Sequence, residues 1–166
     1  MRYPKFRASD IPGLYILDST VMSEGDILAM ARQLSHDSLS KGRFLVMPGP
    51  TKDYLQNLMQ HYEHEVFAVV LLDALQRVIG FHELFRGTVN ASTIYPREVV
   101  KLALAHNAVA AVFAHNHPSG VSIPSQADLD TTKRLKDALA LVDVRVVDHI
   151  VVGRDGCTSL AETGRI

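Results

Sequence analysis

Of the 166 residues, 47% are apolar and 21% are charged, which predicts one globular domain and excludes a disordered or fibrous chain. The 17 basic and 18 acidic side chains nearly balance, which excludes a strongly basic footprint for nucleic acid. One cysteine, Cys157, excludes an internal disulfide, and no apolar run approaches the roughly 20 residues of a membrane helix, so we expect a protein of the reducing cytoplasm without a membrane segment.

Residues 1–47 predict an N-terminal arm that carries one short helix. Residues 1–20 show little periodicity and contain two prolines and a glycine, which indicates extended chain. Ser23 and Asp26 then resemble a helix capping box, and apolar residues follow at helical spacing: Ile27, Met30, Ala31 and Leu34. We place the domain boundary at Pro48-Gly49-Pro50, the strongest break in the chain.

Residues 48–166 predict one domain in which helices and strands alternate. Thr51 is a suitable N-cap for a helix that runs to about Tyr62. The apolar run Val66–Leu72 predicts a buried strand, with Arg77–Phe85 as its hairpin partner. The later elements are a helix from Pro96, a buried strand Ala108–Ala114, a helix capped by Ser125, a strand Val144–Val152 and a last strand Thr158–Leu160. This order predicts a mixed α/β fold.

Two histidines, His115 and His117, follow the buried strand. Side chains alternate along a strand, so both imidazoles face the same side and can reach one metal ion. Asp128, at the start of the next helix, offers a third ligand. Two histidines and one carboxylate leave the fourth position of a zinc ion open for water, which is typical of a catalytic site. The sequence therefore predicts a metal-dependent hydrolase.

Each of these residues also has an ordinary structural explanation. A histidine at the end of an apolar strand is more often a hydrogen-bonded structural residue, and Ser125 and Asp128 by themselves resemble a capping box. The metal interpretation is favoured because all of them occur together at fixed spacing. Ser125 then has a possible second role, since its hydroxyl can donate to the oxyanion formed when water attacks a carbonyl.

A hydrolytic zinc site also requires a general base outside the ligand set. Three carboxylates lie at or near the ends of predicted strands: Glu63, Glu65 and Glu83. Spacing alone does not choose among them.

At this point the chain resembles a known family. His115-x-His117, seven residues, Ser125, two residues and Asp128 is similar to the JAMM motif of MPN/JAB-domain zinc metalloproteases. From about Pro50 to the end, the chain resembles the bacterial RadC-like proteins of the UPF0758 type. The matching segments are Gly87-Thr88, Tyr95-Pro96-Arg97-Glu98, His106-Asn107-Ala108, Ala114-His115-Asn116-His117-Pro118-Ser119-Gly120 and Asp148-His149.

The resemblance implies an MPN/JAB-type mixed β-sheet flanked by helices, in a cytidine-deaminase-like three-layer arrangement. It implies Zn²⁺ held by His115, His117 and Asp128, and hydrolysis of a peptide or isopeptide bond with the help of Ser125. The family's catalytic glutamate lies at the start of the strand after the first domain helix, which corresponds to Glu65. Glu63 and Glu83 remain in reserve.

For partners, the resemblance implies a protein or peptide substrate. The alternative is a DNA-associated module in DNA repair or mobile-element biology, with the metal in a structural role. DNA is not favoured, because the charge is balanced and the first 50 residues are too short for the helix-hairpin-helix region of longer relatives. Exposed strand edges would also allow a homodimer.

Three further positions carry weaker expectations. Many relatives follow Ser-Gly with Asp-Pro, whereas this chain has Val121-Ser122-Ile123, so the rim of the loop loses an acid and a proline. Asn116 points away from the two histidines, and we expect it to orient the loop. His149, beside Asp148 in a predicted strand, is expected to be structural or to face a partner.

Overall fold

The computed structural model describes residues 6–11, 14–17, 21–38, 42, 48–87 and 94–166. Near the N-terminus, strand β1 (Phe6–Ala8) pairs antiparallel with β2 (Tyr15–Leu17), so the described part of the predicted extended arm contains a small two-stranded ladder. Helix α1 (Glu24–Ser38) follows. Its capping box is confirmed, because Ser23 and Asp26 exchange side chain to backbone hydrogen bonds of 2.9 and 3.2 Å.

Helix α2 (Pro48–Met59) packs against α1. It begins before Thr51, so the prediction that Thr51 is its N-cap is wrong. Proline is favoured in the first turn of a helix because its missing N–H has no partner there in any case, and the Pro48-Gly49-Pro50 break therefore starts the helix. The helix also ends before Tyr62.

A five-stranded sheet forms the centre of the molecule. Its strands lie in the order β4-β3-β5-β6-β7, and only the β5–β6 pair is parallel. The strands are β3 (Glu65–Leu72), β4 (Val78–Gly87), β5 (Ala110–Asn116), β6 (Arg145–Val152) and β7 (Cys157–Ser159), and the remaining helices are α3 (Pro96–Ala105) and α4 (Gln126–Ala140). The predicted hairpin of β3 with β4 is confirmed.

Both faces of this sheet are covered by helices, because β3 and β5 are apolar on both sides. In β3, Val66, Ala68 and Val70 belong to a core that includes Leu55 and Met59 of α2. The alternate residues of β3 belong to a second core with residues of α3 and α4: Phe67, Val69, Leu71, Val99, Ala103, Leu135 and Leu139. Helix, sheet and helix form three layers, so the predicted MPN/JAB-type α+β architecture is confirmed.

The crossover from β5 through α4 to β6 fixes where polar residues meet. Helix α4 starts near the carboxyl ends of the two parallel strands, the edge at which open α/β sheets place their ligand sites. Strand β5 continues to Asn116, two residues beyond the predicted end, so His115 lies within the strand and His117 directly after it. The first turn of α4 therefore faces both histidines.

Within the described residues, no helix is both long and apolar enough to cross a membrane.

The layer of α4 should contribute strongly to stability. Leu135 is 1% exposed between α4 and the sheet, so Leu135→Ala should lower the free energy of unfolding by about 2–5 kcal/mol. Leu141, just beyond the helix, is 87% exposed, and Leu141→Ala is the matched control, with an expected change within about 0.5 kcal/mol. Urea denaturation of both variants measures this. Equal losses would contradict the packing described.

Candidate metal centre

Three side chains converge beyond the end of β5. The Nε2 atoms of His115 and His117 are 3.0 Å apart. Asp128, in the first turn of α4, places its carboxylate oxygens 3.2 Å from Nε2 of His115 and 3.5 Å from Nε2 of His117. Among the residues that the structure describes, no other group of three His, Cys, Asp or Glu side chains meets in this way.

These separations fit a metal ion. In a tetrahedral zinc site with bonds of roughly 2.0–2.1 Å, neighbouring ligand atoms lie about 3.3 Å apart. The three measured distances lie close to that value. Two neutral imidazoles and a carboxylate provide three lone pairs directed at one point, which is a favourable arrangement only when a cation lies between them.

The charges at the candidate metal centre favour the binding of a cation. Burial alone would raise the pKa of Asp128, but the adjacent imidazoles of His115 and His117 and the hydrogen bonds from Ser125 hold it well below its ordinary value. The carboxylate is therefore ionised. The adjacent Asp128 carboxylate raises the pKa of His117, because it favours the protonated ring, against the opposing effect of partial burial.

Each ligand histidine is held through its other ring nitrogen. Nδ1 of His117 lies 2.8 Å from the carbonyl oxygen of Val121, which can only accept, so Nδ1 carries the proton and Nε2 the lone pair. Nδ1 of His115 lies 2.8 Å from Nε2 of His149. Partners of this kind fix the orientation of metal-binding imidazoles.

Ser125 fixes the position of the carboxylate. It is the N-cap of α4, and Asp128 occupies position N3 of the predicted capping box, which is confirmed. The Ser125 hydroxyl and backbone N–H both donate to Oδ2 of Asp128, each at 2.7 Å. Capping and ligand positioning are therefore compatible, because the same carboxylate accepts these two bonds and faces the histidines.

The loop that follows His117 is held by the turn after β6. Gly120 accepts backbone hydrogen bonds from Arg154 and Asp155, and Oδ1 of Asp155 accepts one from the N–H of Ser122 at 3.0 Å. Gly153 allows this close approach, because a Cβ there would lie 2.5 Å from the carbonyl oxygen of Gly120. The part of the loop where many relatives have Asp-Pro, Val121-Ser122-Ile123, is thus held by these hydrogen bonds, and Val121 and Ile123 are exposed.

Glu65 lies on the same side of the sheet as the histidines. In the antiparallel pairing of β3 with β5, Phe67 is opposite His115, and Glu65, two residues before Phe67, lies on the same face of the sheet just beyond this last pair. Glu65 is half-buried, and its negative charge contributes to the raised pKa of His117.

The two reserve carboxylates have different surroundings. Glu63 is exposed, before the start of β3. Glu83 lies in β4 and accepts hydrogen bonds from the Tyr62 hydroxyl at 2.6 Å and from Arg86 at 2.5 Å. Burial would raise the pKa of Glu83, but these hydrogen bonds lower it below its ordinary value.

Asn116 connects the two strands on the opposite face of the sheet. Its Oδ1 accepts from the N–H of Val66 at 2.8 Å, and its Nδ2 donates to the carbonyl oxygen of His64 at 3.1 Å. These backbone groups flank Glu65. Asn116 points away from the ligands as predicted, but it holds the start of β3 rather than the loop after β5.

Sequence reasoning missed the contact between His149 and the centre. The β5–β6 pairing places Ala111 opposite Val146 and Val112 opposite Asp148, so Val147 is an extra residue in β6. Such a bulge moves all later side chains to the other face, and it brings His149 towards His115. A prediction that assumes uniform alternation of side chains along β6 does not reveal the contact of His149 with His115.

Comparison with known families identifies a match over this part of the chain. The model of the RadC-like JAB domain family matches residues 46–165, which include every residue of the centre.

Similar proteins occur in several bacteria. A UPF0758 protein of Vibrio cholerae is 56% identical over 141 residues, which are 85% of this chain and 89% of that protein. A UPF0758 protein of Cellvibrio japonicus is 53% identical over 138 residues, 83% of this chain and 62% of that protein. A UPF0758 protein of Nitrosococcus oceani is 50% identical over 153 residues, 92% and 67% respectively. The chain thus spans about three fifths of the Cellvibrio relative, and none of these names states an activity.

The contact of Asn116 with the start of β3 should contribute measurably to stability. Asn116→Ala leaves the buried N–H of Val66 without its acceptor, so the free energy of unfolding should fall by about 1–3 kcal/mol. Asn57→Ala, which removes a half-buried amide from α2, is the control for loss of an amide. Urea denaturation compares the two. If both variants unfold at the same urea concentration, Asn116 does not hold the strand.

Proposed function

Because the chain belongs to the RadC-like JAB domain family, we propose that it is a zinc-dependent hydrolase of the JAMM class that cleaves a peptide or isopeptide bond. The observation that carries this proposal is the convergence of His115, His117 and Asp128 at the spacing of a tetrahedral site. Three protein ligands leave one position for water or substrate, which distinguishes catalytic from structural zinc sites.

In this proposal each residue has a distinct task. A zinc ion held by the three ligands would polarise the substrate carbonyl and make water a stronger nucleophile at neutral pH. Glu65, which lies near His117 and outside the ligand set, accepts the proton of the attacking water and delivers it to the leaving amine. The Ser125 hydroxyl has to turn from Asp128 before it can donate to the developing oxyanion.

Glu65 is favoured over the reserve residues by its position and by its surroundings. Glu83 is engaged by Tyr62 and Arg86, and its lowered pKa makes it a weaker base. Glu63 is exposed, where a carboxylate retains its full hydration. Glu65 is half-buried and close to His117, so it is within reach of a water molecule at the open position of the metal site.

The substrate, the compartment and the assembly belong to the same proposal. We assign a protein or peptide substrate, because two histidines, one carboxylate and a separate general base would suit the attack of water on an amide carbonyl. A free thiol at Cys157 is consistent with the cytoplasm. We rank a homodimer and a DNA-associated role below the hydrolase proposal. The balanced charge of the chain does not favour DNA.

Zinc content tests the ligand set. Metal-free protein that is titrated with zinc and then dialysed should hold about one ion per chain, because three ligands already converge. His117→Ala should lose this zinc. His36→Ala, which removes an imidazole with 63% of its side chain exposed, should retain it. Plasma mass spectrometry measures the number of zinc ions per chain. Equal zinc in wild type and His117→Ala would contradict the ligand assignment.

Replacement of Glu65 separates metal binding from hydrolysis. Glu65→Gln should keep wild-type zinc and lose hydrolysis by a factor of roughly 100 or more, because it has nearly the same shape but accepts no proton. The assay offers linear and lysine-branched peptide libraries, and mass spectrometry identifies new amino termini and freed lysines. Glu63→Gln, an equivalent change at an exposed carboxylate, should cleave as wild type does.

Two results would contradict this account of the base. Equal cleavage by Glu65→Gln and wild type would transfer the role to another carboxylate. The absence of any cleavage by zinc-loaded wild type in both libraries would contradict the hydrolase itself.

A further inference from the structure

A chain of hydrogen bonds runs from helix α4 to the metal centre through two residues outside the ligand set. The Thr132 hydroxyl contacts the Asp128 carbonyl oxygen at 2.6 Å and Nδ1 of His149 at 2.5 Å. Nε2 of His149 contacts Nδ1 of His115 at 2.8 Å. We propose that Thr132 and His149 are positioning residues that set the tautomer of His115, so that its Nε2 faces the metal site as a lone pair. This inference rests on the metal site of the proposed function.

The direction of the chain is determined at the Thr132 hydroxyl. A hydroxyl has one proton to donate, and a carbonyl oxygen can only accept. The two oxygens of the 2.6 Å contact would repel one another without a proton between them, so Thr132 must donate to Asp128. Threonine commonly bonds the carbonyl four residues earlier in its own helix in this way. The Thr132 oxygen is then left with acceptor sites only.

The next contact follows from the first. Because the Thr132 oxygen can only accept, Nδ1 of His149 must carry a proton. The His149 side chain is fully buried, and its ring lies edge-on to Phe67 and Phe113. Apolar walls of this kind disfavour a second proton on the ring. Nε2 of His149 therefore presents a lone pair to His115.

The contact between His149 and His115 determines which nitrogen of His115 can bind the metal. Nδ1 of His115 must donate to the lone pair of His149, which leaves Nε2 of His115 without a proton. That nitrogen is the one that faces His117 and Asp128. The opposite tautomer of His115 would direct an N–H into the metal site and would leave two lone pairs opposed at His149. The buried chain thus excludes the form that cannot bind a metal.

His117 reaches the same tautomer by a different route. Its Nδ1 donates to the backbone carbonyl of Val121, which no side-chain substitution removes. His115, in contrast, depends on two side chains, and its ring is 1% exposed. The tautomer of His115 is therefore the one that substitutions at Thr132 and His149 can change.

The test uses metal-free protein labelled with nitrogen-15 in histidine, at an alkaline pH at which each imidazole carries one proton. Long-range proton–nitrogen correlation spectra distinguish the two tautomers of each imidazole, and His115→Ala and His149→Gln assign the signals. We expect both His115 and His149 to carry their proton on Nδ1 in the wild type. This part of the test requires no variant to fold, and a proton on Nε2 of His115 would overturn the inference.

Variants at Thr132 measure the consequence for binding. Thr132→Val keeps the shape but removes the hydroxyl, so it should disturb the tautomers of both histidines and weaken zinc binding roughly 10- to 100-fold in competition with a chelator. Thr132→Ser, which retains the hydroxyl, should restore both properties. Thr131→Val, the same change at the half-buried neighbouring threonine, should match the wild type.

The outcomes separate this inference from the proposed function. Zinc binding by wild type together with unchanged tautomers and unchanged affinity in Thr132→Val would overturn the inference alone. The expected tautomers in a wild type that binds no zinc would confirm the hydrogen-bond chain and contradict the metal site.

Discussion

The antiparallel register of β3 with β5 is the constraint on which the candidate site depends. Pairing Phe67 with His115 brings Glu65 beside His117 on one face of the sheet. It brings the Asn116 side chain to the N–H of Val66 on the other face. A slip of one residue would turn these side chains to the wrong faces, so the hydrogen bonds of Asn116 and the apolar residues of both cores specify the same register.

Helix α4 combines three tasks in its first two turns. Ser125 caps the helix, Asp128 completes the cap and presents its carboxylate, and Thr132 bonds the Asp128 carbonyl one turn later. Because these residues lie on one rigid element, the carboxylate and the support for His115 move together. Leu135 and Leu139 fix that element against the sheet. Core packing is thereby connected to the geometry of the metal centre.

Much of this arrangement could be predicted from local patterns. The apolar runs predicted β3 and β5, and the alternation of side chains predicted that His115 and His117 share a face. The capping box predicted where α4 begins, and hence that Asp128 would lie near them. The choice of Glu65 came from resemblance to a family, since spacing left three carboxylates open.

Other features depend on contacts distant in sequence and left no local pattern. The extra residue at Val147 turns His149 towards the centre, and only the pairing of β6 with β5 reveals it. Asn116 bonds backbone groups fifty residues away. The start of α2 was misplaced for another reason, because two prolines that usually break a helix can also occupy its first turn.

The central claim is that three nitrogen and oxygen lone pairs are held ready for one zinc ion. A crystal structure of the zinc-loaded protein, with anomalous diffraction measured on both sides of the zinc absorption edge, tests it most directly. The account predicts one strong anomalous peak at roughly 2.0–2.2 Å from Nε2 of His115, Nε2 of His117 and a carboxylate oxygen of Asp128, with Glu65 outside the coordination sphere. A peak elsewhere, or one coordinated through Nδ1 of either histidine, would contradict it.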